Sequence, residues 1–177
     1  MSIAHGKEDV MEKENKYIAY GSNLNREQME RRCPTAKVLG RSIINDYRLL
    51  FRKLKTGSYV TIEPCEGKCV PVLLWSVCSE DKQSLDRYEG YPRFYEKEEM
   101  NILLNGETTS AFVYIMTPGH ELGMPSDVYL NIIEEGYKEA GFDLCVLDDA
   151  IADTQARISL EHNNNSKQAE MFWMRWW

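Results

Sequence analysis

Apolar and polar positions follow two different patterns along the chain, one typical of strands and one typical of helices. Short apolar runs bounded by turn residues predict strands. The predicted strands lie at residues 16–20, 37–43, 47–52, 58–62, 69–78, 96–104 and 108–116. The run at 69–78 is almost continuously apolar, which predicts a strand inside a sheet, and Asn105-Gly106 predicts a hairpin turn between the last two strands.

Capping residues and helical spacing predict four helices, two of them between these strands and two after the last strand. The N-caps predicted for the first three are Asn25, Ser79 and Ser126. Their predicted ends are Pro34, Gly90 and Gly141, which are residues that stop or cannot continue a helix. Apolar positions within residues 147–158 predict the fourth helix.

The order of these elements, β-α-β-β-β-β-α-β-β-α-α, does not alternate regularly. It predicts a single α+β domain with a mixed, partly closed β-sheet or barrel and flanking helices. We expect this domain to span residues 16–158, after a flexible leader at 1–15. A polar and aromatic tail follows at 159–177, and the sequence leaves open whether its tryptophans pack on the core or contact a partner.

Charge and hydropathy narrow the class of protein. The net charge of −7 argues against nucleic acid as the main partner, although Arg26, Arg31 and Arg32 are close enough to form a local basic patch. No apolar run approaches the ~20 residues needed to cross a bilayer, and the first 16 residues lack the apolar core of a secretory signal. We therefore expect a cytoplasmic protein without membrane contact, either a monomer or a homodimer.

The five cysteines are odd in number and widely spaced. In a cytoplasmic protein this pattern favours reduced and mostly buried thiols. Cys65 and Cys69 resemble half of a metal site, but their spacing is unusual and no CxxC pair accompanies them. We expect no metal.

Two short segments carry candidate chemistry. The first predicted strand stops at Gly21, and Ser22 and Asn23 lead into a helix. Backbone N–H groups at such a point lack partners and bind carboxylates or oxyanions, yet many ordinary capped turns look the same.

The second segment contains Glu89, predicted at the C-terminal end of the second helix. Helix carbonyls disfavour an anion there by about 0.3–1 kcal/mol, which raises a carboxyl pKa by less than about one unit. Burial by nearby aromatic residues would raise the pKa further and make Glu89 a better base near neutral pH. The alternative is a solvated glutamate in a turn.

Three segments in combination favour a functional role for Gly21 and Glu89 over an ordinary turn and a solvated glutamate. They are Tyr20-Gly21-Ser22-Asn23-Leu24, Tyr88-Glu89-Gly90 and Pro125-Ser126-Asp127-Val128-Tyr129. Their order resembles the γ-glutamylcyclotransferase-like family, which includes γ-glutamyl cyclotransferases, γ-glutamylamine cyclotransferases and plant proteins of the avirulence-induced type. The resemblance covers residues 16–158.

The resemblance implies that Glu89 is the catalytic acid/base and that no metal or organic cofactor is used. It implies a substrate site formed by Ile18, Ala19, Tyr20, Gly21, Ser22, Asn23 and Tyr129. The expected reaction converts a γ-glutamyl amide to 5-oxoproline and a free amine. The alternatives are a γ-glutamylamine cyclotransferase, a biosynthetic deprotecting enzyme on the same fold, and a non-catalytic protein that binds a small acid.

Overall fold

The computed structural model describes the backbone of residues 15–174 and the side chains of residues 15–164. The predicted leader, apart from residue 15, lies outside the described residues, as do Trp176, Trp177 and the side chain of Trp173. The described elements are β1 (Asn15–Ala19), a 3-10 turn (Ser22–Leu24), α1 (Arg26–Arg32), β2 (Lys37–Leu54), β3 (Gly57–Val77), α2 (Ser79–Glu89), β4 (Tyr95–Leu104), β5 (Glu107–Met116), α3 (Asp127–Ala140) and α4 (Cys145–Met174).

The five strands form one mixed sheet in the order β2-β3-β1-β5-β4. Only β1 and β5 pair in parallel, and the other neighbours are antiparallel. This architecture confirms the predicted single α+β domain. The sheet is open, however, because no ladder joins its edge strands β2 and β4 among the described residues. The edges meet instead where the Ser42 hydroxyl donates to the Leu103 carbonyl.

The four strands predicted between residues 37 and 78 are two long strands in the structure. The segments 37–43 and 47–52 belong to β2, and 58–62 and 69–77 belong to β3, while Cys78 of the predicted segment 69–78 lies just beyond the strand. Asp46 has a positive φ of 59°, and its carboxylate accepts a 2.9 Å hydrogen bond from the Gly67 amide. The ladder therefore continues through an irregularity that resembles a turn in the sequence. As predicted, β3 is an interior strand, paired with β1 and β2.

Caps at the helix ends match the sequence closely. The Asn25 side chain accepts from the Gln28 amide at 3.0 Å, and Ser126 caps α3, as predicted. The cap of α2 was predicted one residue too late, because the Cys78 sulfur, and not Ser79, accepts from the backbone N–H of Asp81, the third residue of the helix.

Two contacts fix α3 against the 3-10 turn and α4 against the sheet. In α3, Gly136 permits a close approach to the 3-10 turn, since a Cβ there would lie 2.7 Å from both the Asn25 nitrogen and Leu24 Cβ. In α4, the buried Thr154 hydroxyl donates to Ala150 and accepts from the Phe51 amide of β2. The backbone of α4 stays helical beyond the predicted end at residue 158.

Candidate active site

The loop after β1 is held close to the sheet. The Tyr20 hydroxyl donates to the Tyr114 carbonyl of β5 at 2.6 Å. At the next position, a Cβ would lie 2.5 Å from Val60 Cγ1, so only glycine lets the chain pass so close to β3. Gly21 therefore fixes the path by which Ser22 and Asn23 enter the 3-10 turn. The amide groups at the start of this turn have no acceptor within it, as at the start of any helix.

The last residue of α2 is Glu89, and Gly90 ends the helix in the left-handed conformation, with φ 65°. The preceding turn is anchored by Asp86, whose carboxylate accepts from the Tyr114 hydroxyl and forms an ion pair with Lys97 at 2.9 Å. These contacts tie the end of α2 to β4 and β5. The position of the Glu89 backbone is therefore set by the sheet as well as by the helix.

The two predicted segments meet through one amide side chain. Asn23 Nδ2 donates to Glu89 Oε1 at 3.0 Å and to the Tyr17 hydroxyl at 2.8 Å. Asn23 Oδ1 accepts from the guanidinium group of Arg32. Ser22 Oγ lies 3.1 Å from the hydroxyl of Tyr88, which precedes Glu89 on α2. Residues separated by 66 positions in the sequence thus form one polar site.

A cavity of about 420 Å³ opens at this site, a volume within the range of small-molecule sites, about 300–1,000 Å³. Its lining is Tyr17, Tyr20, Gly21, Ser22, Asn23, Leu54, Lys55, Thr56, Tyr59, Val60, Arg87, Tyr88, Glu89, Gly90, Phe94, Tyr95, Tyr114 and Tyr129. Of the predicted site residues, Ile18 and Ala19 do not line it. Both side chains are fully buried in β1, the strand that leads into the loop at Gly21.

Burial raises the pKa of Glu89 from 4.5 to about 7, against the opposing effects of Arg32 and of the hydrogen bond from Asn23. Burial is therefore the main cause of the raised pKa, whereas the sequence predicts it as an addition to the effect of the helix carbonyls. Burial also raises the pKa of Tyr20 and Tyr95 well above the usual value of 10, so these lining groups stay neutral. Glu89 is placed to exchange a proton near neutral pH.

The Pro-Ser-x-x-Tyr segment reaches the same cavity from α3. Ser126 Oγ accepts from the Tyr129 amide at 3.3 Å, which begins the helix and directs Tyr129 toward the sheet. The Tyr129 hydroxyl accepts from the Val60 amide at 3.4 Å, and its ring meets Tyr59 edge-on at 5.1 Å. All three sequence segments singled out for chemistry are therefore at one cavity.

Comparison with known proteins gives a family. Residues 17–137 match the family described as Gamma-glutamyl cyclotransferase, AIG2-like. The chain belongs to this family. The match begins within β1, includes β2 to β5 and every residue that lines the cavity, and ends within α3.

Individual members agree with this assignment. Gamma-glutamylcyclotransferase of Homo sapiens is 32% identical over 137 residues, with 72% of each chain covered. The protein of the same name from Mus musculus is 30% identical over 134 residues, with 71% of each chain covered. A solved structure named Gamma-glutamyl cyclotransferase has a TM-score of 0.71 at 28% identity, covering 78% of this chain and 86% of that one. An uncharacterized protein from Homo sapiens has a TM-score of 0.70 at 30% identity, with 78% and 87% covered.

Several residues of this family member's site were not predicted as site residues. The sequence predicts Arg32 only as part of a local basic patch, yet its guanidinium group donates to Asn23 Oδ1. The lining contains two solvent-exposed cations, Lys55 and Arg87. Arg93, which the sequence leaves open as either a partner for a second substrate carboxylate or a surface residue, is not in the lining and lies over the Phe94 ring. The sequence indicates that Arg87 lies on the second helix and that Lys55 lies between two strands. It does not show that the side chains of these two residues point toward the cavity.

The cysteines are all free thiols, and within residues 15–164 no three His, Cys, Asp or Glu side chains group as a metal site. The expectation that they are mostly buried was wrong, because Cys69 and Cys145 are exposed and only Cys33 is buried. Burial raises the pKa of Cys33 to about 12, which keeps it as a thiol. None of the described helices combines the length and apolar content needed to cross a membrane.

Proposed function

We propose that this protein cleaves γ-glutamyl amides by internal cyclisation, releasing 5-oxoproline and a free amine, with Glu89 as the general acid/base. The observation that carries the proposal is the Glu89 carboxyl group, which lines the cavity, accepts from Asn23 at 3.0 Å and has a pKa raised to about 7. A base is most effective when its pKa lies near the working pH. Relatives named Gamma-glutamylcyclotransferase support the same reaction.

The nucleophile in this reaction belongs to the substrate. The α-amine nitrogen attacks the γ-carbonyl carbon of the same glutamyl unit and closes a five-membered ring. The site must fold the glutamyl unit so that these atoms approach, which captures part of the large effective-molarity advantage of an intramolecular reaction. No side-chain nucleophile is needed, in keeping with a buried and protonated Cys33.

Glu89 moves protons from the substrate α-nitrogen to the leaving nitrogen. It first takes one proton from the α-ammonium, which frees the lone pair that forms the new C–N bond, and it gives this proton to the leaving nitrogen when the bond from that nitrogen to the γ-carbon breaks. The regenerated carboxylate then takes the second proton that the ring nitrogen still carries and passes it to the released amine. The products are 5-oxoproline and an ammonium ion, so atoms and charge balance over the cycle.

The loop at Gly21, Ser22 and Asn23 binds the charged part of the substrate. Its backbone N–H groups serve in one of two ways, either by stabilising the tetrahedral oxyanion or by gripping the α-carboxylate. We propose that Tyr20 and Tyr129, which line the cavity, contact the glutamyl unit. The reaction requires no cofactor.

The test is 5-oxoproline release from a panel of γ-glutamyl compounds. We expect Glu89→Gln to lose at least ~10²-fold in kcat, the usual contribution of general acid–base catalysis, with the fold intact. Glu98→Gln is the matched control, because Glu98 is exposed on β4 and away from the cavity lining. Near-normal turnover by Glu89→Gln would remove the mechanism.

The panel also separates the alternatives. Release from γ-glutamyl-alanine but not from γ-glutamyl-ε-lysine indicates a cyclotransferase for γ-glutamyl amino acids, and the reverse indicates a γ-glutamylamine cyclotransferase. Binding of 5-oxoproline without turnover of any compound indicates a non-catalytic protein. The cytoplasmic location and the oligomeric state, monomer or homodimer, stay predictions.

A further inference from the structure

The Asn23 amide uses its two ends for different partners. Its Nδ2 group donates to Glu89 and to the Tyr17 hydroxyl, while Oδ1 accepts from Arg32. A rotation of the amide by half a turn would point an acceptor oxygen at the Glu89 carboxylate, which also accepts when ionised. The direction in which the amide faces therefore decides whether Glu89 has a donor beside it.

Arg32 is itself held in place by three further contacts. Its Nη2 donates to Gln28 Oε1 at 2.7 Å, and its Nη1 lies 3.4 Å from Ser22 Oγ. The guanidinium carbon lies 3.6 Å from the centre of the Tyr88 ring. Such a planar and stacked group presents its donors in a fixed direction, so it can only meet the oxygen end of the amide. Arg32 is the last residue of α1, and these contacts direct it into the site.

We propose that Arg32 is a positioning residue for the reaction, which orients the Asn23 amide toward Glu89 and keeps the Glu89 carboxylate in its proton-accepting form. This inference rests on the proposed function, because it assigns Arg32 a role in the chemistry of Glu89. It acts through Asn23 and through its charge, and it needs no contact with the substrate.

The charges around Glu89 support this assignment. Six tyrosines around the cavity interact with Glu89, namely Tyr17 and Tyr20 of the β1 segment, Tyr88 of α2, Tyr95 of β4, Tyr114 of β5 and Tyr129 of α3. All have a raised pKa and are neutral at pH 7. Arg32 is the charged side chain that acts on Glu89 within the described residues, and it lowers a pKa that burial raises.

The test compares Arg32→Gln with Arg31→Gln as the matched control. Arg31 precedes it on α1, but its side chain is 69% exposed and pairs with Glu27 at the surface. The pH profile of kcat/KM is measured for 5-oxoproline release, together with titration of the Glu89 carboxyl carbon by NMR. Spectra of Glu89→Gln assign that signal, and thermal unfolding of each variant checks the fold.

We expect Arg32→Gln to move the acidic limb of the profile and the NMR midpoint to higher pH by about one unit, because the loss of an adjacent opposite charge favours the neutral acid. At pH 6 this corresponds to about a tenfold loss in kcat/KM. Arg32→Lys keeps the positive charge but loses the planar guanidinium group that orients Asn23. The acidic limb of its pH profile should therefore return to the wild-type pH, while its maximal kcat/KM stays below the wild-type value. Arg31→Gln should match wild type.

An equal loss at every pH with an unmoved NMR midpoint would overturn the inference, as would a response of Arg31→Gln as large as that of Arg32→Gln. If Arg32→Gln fails to fold, Arg32→Lys alone decides the orienting role, since a wild-type plateau in that variant contradicts it. The NMR midpoint needs no turnover. A wild-type protein that releases no 5-oxoproline therefore refutes the proposed function, while the titration still decides whether Arg32 controls Glu89.

Discussion

The contact between Gly21 and Val60 gives a sharp prediction, because it decides how close the substrate loop lies to β3. A Cβ at position 21 would lie 2.5 Å from Val60 Cγ1, whereas ordinary carbon–carbon contacts are about 3.5–4.0 Å. Gly21→Ala must therefore move the loop or Val60 by about 1 Å. Overpacking of this kind costs about 1–3 kcal/mol in the free energy of unfolding, or roughly 2–12 °C in Tm for a chain of this size.

Val60→Ala supplies the compensating change. Its Cβ lies 4.0 Å from the new atom at position 21, so the clash disappears once Cγ1 is removed. Alone, Val60→Ala loses two buried methyl groups, at about 0.8 kcal/mol each. The double variant should thus be more stable than the sum of the single effects by about 1–3 kcal/mol.

Urea unfolding of the four proteins measures this coupling, and KM for a γ-glutamyl amide reports the position of the loop. We expect Gly21→Ala to raise KM and the double variant to recover part of the loss. Additive stabilities within about 0.5 kcal/mol would refute the reasoning, because they would mean that Gly21 and Val60 do not touch.

Three further predictions concern Glu89, a cap and a buried hydroxyl. Because the folded pKa of Glu89 is about 7 against 4.5 when unperturbed, its ionisation lowers wild-type stability as pH rises from 4.5 to 7. Glu89→Gln should equal wild type in Tm at pH 4 and exceed it at pH 8, and no difference at pH 8 would contradict the raised pKa. Asn25→Ala removes the acceptor for the Gln28 amide and should lower the free energy of unfolding in urea by about 1 kcal/mol. An unchanged free energy of unfolding would mean that this cap does not stabilise the helix. Thr154→Val leaves the Phe51 amide without its acceptor and should cost about 1–3 kcal/mol, and an unchanged urea midpoint would count against this hydrogen bond.

Local signals in the sequence predicted much of the fold. Asn25, Ser126, Gly90 and Gly141 end or begin helices as expected, because caps depend on one or two residues and their own backbone. The irregularity at Asp46 falls between two segments, 37–43 and 47–52, that the sequence predicts as separate strands, since a polar break in the pattern looks the same whether the ladder stops or continues. Beyond this irregularity β2 pairs with residues 24 or more positions away, such as Asn45 with Cys69, and local patterns do not show such pairings.

The candidate site follows the same division. The loop at Gly21 and the carboxyl group of Glu89 were found because motifs carry them. Arg32 was missed as a site residue, because its role depends on how α1 packs: the guanidinium group contacts Asn23 of the 3-10 turn and the Tyr88 ring of α2. The sequence also does not show how strongly burial raises the pKa of Glu89, because the burial of this side chain depends on all the elements that surround the cavity.

A crystal structure of Glu89→Gln soaked with an intact γ-glutamyl amide tests the central claim most directly, since this variant should bind substrate without consuming it. The account predicts that the glutamyl unit occupies the cavity and that its α-amine nitrogen lies about 2.6–3.2 Å from the side chain of residue 89. Its carbonyl or carboxylate oxygens should accept hydrogen bonds from the backbone N–H groups of Ser22 and Asn23. A substrate bound elsewhere, or with its amine turned away from position 89, would contradict the account.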